Sequence, residues 1–181
     1  MDKICIVVNP VSANKTTARE WPLFEKVLSD AGFEFEAVLT EYPGHAAELT
    51  RKALKLGYNT IMSVGGDGTM NEVVNGFFEN DRLIDENSRL VVFSRGTGCD
   101  FVRSLGINRN IEDLLAILKR NREKQIDVGR LSLVRTEGNM PARYFLNVAD
   151  TGIGAETANR VNMHSKRLSG FLSFMLGTLS T

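Results

Sequence analysis

The residues best suited to chemistry lie in Ser63-Val64-Gly65-Gly66-Asp67-Gly68-Thr69, between an apolar run and a helical pattern. Three glycines let the backbone turn tightly and approach a ligand without side-chain obstruction. Thr69 and Glu72 have the spacing of a capping box, which predicts a helix starting directly after the loop. Free N–H groups and the dipole at such a helix start favour an anion such as phosphate. Asp67 sharpens the expectation, because a carboxylate in that loop would repel a bare phosphate. It fits if a cation intervenes or if it accepts a proton from a substrate hydroxyl, both of which are roles in phosphoryl transfer. The competing reading is a plain Gly-Asp-Gly turn, and the full run with its capping box outweighs it.

A second loop, Ser94-Arg95-Gly96-Thr97-Gly98-Cys99-Asp100, repeats the logic after another apolar run. Thr97 can donate its hydroxyl to a phosphate oxygen, and the glycines again allow close backbone approach. Arg95 reads as a solvated charge in preference to a phosphate contact. Asn9-Pro10-Val11-Ser12-Ala13-Asn14 forms a third loop, whose Asn and Ser suit a nucleotide contact and a turn before a helix equally well. Thr40 ends a strand pattern at the same edge. Neither a G-x-x-x-x-G-K-[ST] loop nor a G-x-G-x-x-G run after the first strand occurs, which disfavours ordinary P-loop and Rossmann readings.

Alternating strand and helix patterns position these loops. Ile4 to Val8 is a continuous apolar run, as in a strand covered on both faces. Trp21, Phe24, Val27, Leu28 and Ala31 follow a helical period, with Pro22 early and Gly32 just past the end. Phe33, Phe35, Ala37 and Leu39 alternate as a second strand, and Ala46, Leu49, Ala53 and Leu56 form a helical stripe closed by Gly57. Ile61–Val64 and Leu90–Phe93 are two further strands. Helices are expected around Met70–Phe78, Cys99–Leu105 and Ile111–Lys119, the last capped by Asn110. Such alternation predicts an α/β fold, a parallel sheet flanked by helices. Near Lys124 the pattern changes: Ile126–Val134 and Arg143–Val148 read as antiparallel strands around Glu137-Gly138-Asn139. After Thr151-Gly-Ile-Gly154 come a polar helical stretch and an apolar one, Leu168–Leu179.

Of the 181 residues 43% are hydrophobic, and 22 basic residues balance 22 acidic ones, which excludes a disordered chain and a general electrostatic grip on nucleic acid or anionic membrane. The two cysteines show no zinc-ligand spacing, and Cys5 reads as a small buried hydrophobe. His45 and His164 are isolated. The N-terminus lacks signal-peptide features and no apolar run reaches membrane-spanning length, so a cytoplasmic protein is expected. Membrane contact, if any, is expected to be local, where Arg160, His164, Lys166 and Arg167 precede the apolar stretch. Packing of that stretch in a second lobe or on a partner copy is the favoured reading.

Together these segments resemble the catalytic domain of the diacylglycerol kinase-like lipid kinases, which include bacterial lipid kinases and sphingosine kinases. The resemblance rests on Asn9-Pro10, on Gly65-Gly66-Asp67-Gly68-Thr69-Met70-Asn71-Glu72-Val73 and on Gly96-Thr97-Gly98-Cys99-Asp100-Phe101. Ile126-Asp127-Val128-Gly129 and Phe145-Leu146-Asn147-Val148 are similar to that family's entry into a β-rich lobe. The first glycine motif is shared with NAD kinases. The resemblance implies a diacylglycerol kinase-like ATP-binding domain over 1–124 and the beginning of a β-rich, lipid-binding second lobe over 125–181. It implies ATP binding by Asn9, Pro10, Val11, Ser12, Ala13, Thr40, Gly66, Asp67, Gly68, Thr69, Met70, Asn71, Glu72 and Thr97. Asp67 would be the catalytic residue nearest the transferred phosphate, Mg2+ would bridge the phosphates, and the acceptor would be a lipid hydroxyl such as that of diacylglycerol. No protein metal-ligand set is implied within these residues.

Cys99 stands where the family usually has Asn, Ser94 and Arg95 where it commonly has Pro and an apolar residue, and Ala13-Asn14 where glycine is common. The family's late Asp-Gly-Glu motif does not occur in this sequence. The 181-residue chain is therefore expected to begin a lobe that it does not finish and to be impaired as a kinase. A catalytically silent nucleotide-binding paralogue and an NAD kinase-like enzyme are the alternatives. Uncovered apolar surface would favour a homo-oligomer.

Overall fold

The computed structural model describes residues 3–96, 98–120, 123–132, 134–135, 138–139 and 142–147. Thr97, the run Thr151-Gly-Ile-Gly154, His164 and the basic and apolar sequence from Arg160 to Leu179 lie outside the described residues. The chain clusters into two compact units, 1–146 and 147–181, and the architecture below is that of the first.

Its elements run β1 (Ile4–Val8), a 3-10 turn (Ala13–Lys15), α1 (Thr16–Asp30), β2 (Phe35–Leu39), α2 (His45–Lys55), β3 (Thr60–Gly65) and α3 (Asp67–Gly76). There follow β4 (Phe78–Glu79), β5 (Arg82–Leu83), β6 (Arg89–Ser94), α4 (Asp100–Ser104) and α5 (Ile111–Arg120). The short strands β7 (Gly129–Leu131), β8 (Val134–Arg135), β9 (Gly138–Asn139) and β10 (Arg143–Phe145) complete the series. A four-stranded sheet has the order β2-β1-β3-β6, and every pairing within it is parallel.

Successive side chains of a strand point to opposite faces, and both faces here are apolar. Ile4, Ile6 and Val8 pack with Met62, Val64 and Phe93 against Trp21 and Leu28 of α1 and Leu114 of α5. Cys5, Val7 and Ile61 face the other way, onto Ala46, Ala53 and Leu54 of α2 and Val73 of α3. This two-sided cover explains the uninterrupted apolar run of β1 and the largely apolar β3, whose Thr60 and Ser63 are buried with the rest. β2 lies at the sheet edge and alternates instead, with Leu39 exposed.

Several boundaries differ from the sequence pattern. α1 begins at Thr16, so Pro22 lies well inside the helix and does not open it. The early turns are tied to the preceding loop, with Ala18 N donating to Pro10 O and the Ser12 and Thr17 hydroxyls 2.6 Å apart. Gly32 and Gly57 close α1 and α2 as expected, with φ of 83° and 87°. Leu54, not Leu56, completes the buried stripe of α2, and Leu56 is exposed. The β4–β5 hairpin was not visible as a periodic pattern; Asn80 and Asp81, with φ of 51° and 61°, make its tight turn. Asn110 caps α5 through its Oδ1, which accepts from Asp113 N at 2.7 Å. β7 and β10 pair antiparallel, within the two strands expected there.

Among the described residues no helix is long and apolar enough to cross a membrane.

Candidate active site at the carboxyl edge of the sheet

The strand register brings three loops into one row. Val8 pairs with Leu39 and with Val64, and Gly65 pairs with Ser94. One hydrogen bond past each strand end extends the row: Thr40 N donates to Val8 O (2.9 Å), Asn9 N to Val64 O (2.8 Å) and Arg95 N to Gly65 O (2.6 Å). Thr40, Asn9, the Gly65-Gly66 pair and Arg95 therefore stand side by side. The helices that follow the neighbouring strands β1 and β3 leave to opposite faces, α1 to one and α3 to the other. A crevice opens at such a switch point, and α/β proteins bind ligands there.

Asn9 ties two of the loops together. Its Oδ1 accepts from Val11 N (3.1 Å), an Asx turn, while its Nδ2 donates to the Thr69 hydroxyl in the first turns of α3 (2.8 Å). Ser12 donates back to Asn9 O (2.8 Å). Ala13, Asn14 and Lys15 then occupy the left-handed region, with φ of 50°, 55° and 69°. Non-glycine residues in that conformation cost roughly 1–2 kcal/mol each, and such strain persists where surrounding bonds over-determine the chain.

The capping box between Thr69 and Glu72 does not form. α3 starts at Asp67 with Gly66 as its N-cap and no side-chain cap. The Thr69 hydroxyl is engaged by Asn9, and the Glu72 Oε2 accepts from Ala46 N (3.3 Å) in the first turn of α2, which lacks a side-chain cap of its own. Tertiary partners have outbid the local one. Asp67 consequently stands at the first position of the helix, not in the loop before it. It is half-buried, and its Oδ2 accepts from Asp100 N (3.3 Å) at the start of α4.

The loop glycines serve close approach. A Cβ at Gly65 would fall 2.5 Å from the Thr69 hydroxyl, and one at Gly96 would fall 2.6 Å from the Cα of Gly66. The two glycine loops thus touch backbone to backbone. Gly68, the exposed residue after Asp67, has nothing within 4 Å of where its Cβ would be, whereas a Cβ at Gly98 would fall 3.3 Å from Asp67 Oδ2.

In the second loop Cys99 is 1% exposed with φ of 56°, and its thiol donates to Gly96 O (3.0 Å). Cysteine holds here a left-handed conformation that Asn adopts more readily, and its thiol donates a single hydrogen bond. Arg95 is not a solvated charge. Its side chain is 20% exposed, forms an ion pair with Glu20 and lies over the rings of Phe24 and Phe93, 5.0 and 5.7 Å from their centroids. Burial, with the nearby Arg109 charge second, lowers its pKa from the ordinary value. Arg109, which no sequence motif singled out, donates to Gly96 O (3.2 Å) and to Cys99 Sγ (3.4 Å).

Not every expected site residue presents its side chain to the crevice. Met70 is 3% exposed and packs with Cys99, Phe101 and Val102. Asn71 Nδ2 donates to Tyr144 O (3.1 Å), and Glu72 is held at α2. Pro10 contributes its carbonyl to Ala18 N, and Val11 is 57% exposed. Asn9, Ala13, Thr40, Gly66, Asp67 and Gly68 share the carboxyl edge.

Among the described residues no group of three or more His, Cys, Asp or Glu side chains could hold a metal ion. Mg2+ commonly needs only one or two carboxylates, with water and phosphate oxygens completing its shell. The carboxylate of Asp67, half-buried at the edge, fits that demand. Asp100 lies close by but is paired with Arg103 at 3.0 Å.

A doubly wound α/β domain with glycine loops meeting at its switch point is the class that this geometry defines. Residues 3–131 match the model of the diacylglycerol kinase catalytic domain family, and the chain belongs to that family. It is 33% identical over 147 residues to the diacylglycerol kinases of Staphylococcus aureus strains JH9 and Newman, a match covering 81% of this chain and 42% of each relative. The chain thus spans less than half the length of these relatives. Among solved structures, a diacylglycerol kinase from Bacillus anthracis str. Sterne superposes with a TM-score of 0.55 at 23% identity, covering 72% of this chain and 44% of that one. That likeness bears on the fold.

Proposed function

We propose that this chain carries the nucleotide-binding part of an ATP-dependent lipid kinase, which moves the terminal phosphoryl group of ATP to a lipid hydroxyl such as that of diacylglycerol. The observation that carries the reading is the position of Asp67. It stands at the first residue of α3, next to the open space over Gly68, where α1 and α3 leave the sheet edge to opposite faces. The start of α3 offers backbone N–H groups and a favourable dipole to phosphate oxygens, and Asn9 locks the neighbouring loop to that helix. Asp67 would hold Mg2+, which supplies charge neutralisation between phosphates when bound, or would accept the proton of the acceptor hydroxyl. The acceptor is taken as a lipid because the relatives are named diacylglycerol kinases. On its own the 181-residue chain is expected to bind nucleotide weakly and to turn over poorly, because phosphoryl transfer depends on complete positioning of both substrates.

Asp67→Asn tests the reading. An amide keeps an acceptor for Asp100 N, so stability should change by less than about 1 kcal/mol. Phosphate transfer from ATP to dioleoylglycerol, measured with the purified protein, should fall by about two orders of magnitude or more. A large loss of stability with activity retained would return Asp67 to a turn-forming role. Transfer to NAD in preference to diacylglycerol would move the chain to an NAD kinase-like activity, and ATP binding without transfer to either would make it a silent paralogue.

A further inference from the structure

A cavity of about 330 Å3 opens beside the glycine loops, lined by Ala13, Ser94, Arg95, Gly96 and Arg109. That volume is at the lower end of the roughly 300–1,000 Å3 typical of small-molecule sites. Its walls come from the strained loop after β1, the loop after β6 and the segment between α4 and α5. Gly96 links it to the crevice, because Gly96 abuts Gly66 at the start of α3.

The two arginines on its wall differ in how their charge is met. Arg95 has its charge met by Glu20 and lies over the rings of Phe24 and Phe93, with its buried Nε left without a hydrogen-bond partner among the described residues. Arg109 has no ion-pair partner among the described residues; its Nη1 serves the carbonyl of Gly96 and the sulfur of Cys99. A guanidinium carries five N–H donors in a planar fork, so the bonds at Nη1 leave Nε and Nη2 to serve another acceptor. The cavity therefore carries one uncompensated positive charge, next to a helix start that itself favours anions. Guanidinium forks pair well with phosphate oxygens.

We propose that this cavity is a phosphate subsite, in which Arg109 binds the polyphosphate chain of the nucleotide as it extends from Gly66 past Gly96. Arg109 joins the glycine loops as a binding residue, and through Gly96 and Cys99 it also holds the second loop in place. The assignment to a nucleotide rests on the functional reading above; the phosphate chemistry does not.

Calorimetric titration of the 181-residue chain with ATP, adenosine and inorganic tripolyphosphate separates the two. Arg109 is exposed, so Arg109→Ala is expected to fold, which circular dichroism checks. It should weaken ATP and tripolyphosphate roughly tenfold to hundredfold, the loss of a charge-assisted contact, and leave adenosine unchanged. Arg109→Gln, which can still donate to Gly96 O without carrying charge, should lose phosphate-ligand affinity as alanine does. Lys119→Ala, removing a charge from α5, should alter none of the three.

Unchanged affinity for ATP and tripolyphosphate in Arg109→Ala overturns the proposal, as does retention of both by Arg109→Gln. Equal losses for adenosine and ATP in Arg109→Ala overturn it too, since they mean that the loop has collapsed. If the wild-type chain binds neither ATP nor adenosine while Arg109 still governs tripolyphosphate, the phosphate subsite stands and the nucleotide reading falls. If it binds none of the three, both fall.

Discussion

Asn75 and Tyr144 are joined as if they were neighbours on adjacent strands. Asn75 Nδ2 donates to Tyr144 O at 2.8 Å, and Tyr144 N donates to Asn75 Oδ1 at 3.0 Å, across 69 residues of sequence. Asn75 lies on α3, whose other end carries Asp67, so one helix bears the site at its start and grips β10 near its finish. The Tyr144 ring stacks on Phe78 with centroids 3.7 Å apart, and its hydroxyl donates to Asp81 at 3.0 Å. Asp81 in turn pairs with Arg130 of β7.

Removing that clasp should be costly. In Asn75→Ala the buried N–H of Tyr144 loses its partner, and its carbonyl keeps only Asn71. A loss of about 2–3 kcal/mol in urea unfolding is expected, with faster hydrogen exchange at the Tyr144 amide. A change below about 0.5 kcal/mol would show that the clasp adds nothing to stability.

The contact between the glycine loops predicts a contrast between two alanine substitutions. Gly96→Ala drives a Cβ to within 2.6 Å of the Gly66 Cα, backbone against backbone, so the loops must separate. It should cost roughly 1–3 kcal/mol. Gly68→Ala meets open space in a helix and should be neutral or stabilising by up to about 1 kcal/mol. Its effect should fall instead on ATP affinity, because the new methyl occupies the open space over the residue next to Asp67. Thermal melts and ATP titrations on both variants would reveal the contrast, and equal destabilisation would refute it.

Ala13→Gly should stabilise the fold by about 1 kcal/mol. Ala13 holds a φ of 50°, and glycine removes the Cβ penalty of that region while adding a smaller entropy to the unfolded chain. Chemical denaturation of wild type and variant is sufficient; a lower midpoint for the glycine variant would contradict the strain argument.

Cys5 sets a pH dependence. Burial, helped by the charge of Glu36, pushes its thiol from the ordinary 9.0 up to about 11. At neutral pH the thiol is protonated both folded and unfolded, so its contribution is fully present below about pH 9. As pH rises, the unfolded chain loses the proton first, and stability falls until the folded thiol ionises near pH 11. The two-unit gap corresponds to roughly 2–3 kcal/mol. Cys5→Ala should be less stable at pH 7 yet lose less between pH 9 and 11, which denaturation at each pH would establish. Parallel slopes for wild type and variant would rule Cys5 out as the cause.

Much of the fold was legible because burial on both faces of a parallel sheet favours apolar runs, continuous in β1 and broken only by Ser63 between Ile61 and Val64 of β3. The loops of interest were legible for a related reason, since Gly65, Gly66 and Gly96 stand where a Cβ would strike a neighbour or crowd the facing loop. The β4–β5 hairpin was not, because its two-residue strands are too short for any period to emerge. Arg109 was invisible for a different reason: nothing in its sequence neighbourhood marks it, and its bonds to Gly96 and Cys99 arise only once the segment between α4 and α5 is folded against that loop.

The sequence by itself determined the alternating elements, their two-sided burial and the order of the loops along the chain. Tertiary structure decided the partners. Thr69 and Glu72 have the spacing of a mutual cap, yet Thr69 bonds Asn9 and Glu72 caps α2. Arg95 sits where a solvated charge was expected, yet it is paired and stacked. Periodicity and propensity act over a few residues and are written locally. A hydrogen bond goes to whichever donor or acceptor the folded chain brings within about 3 Å, and that choice is made only when distant segments meet.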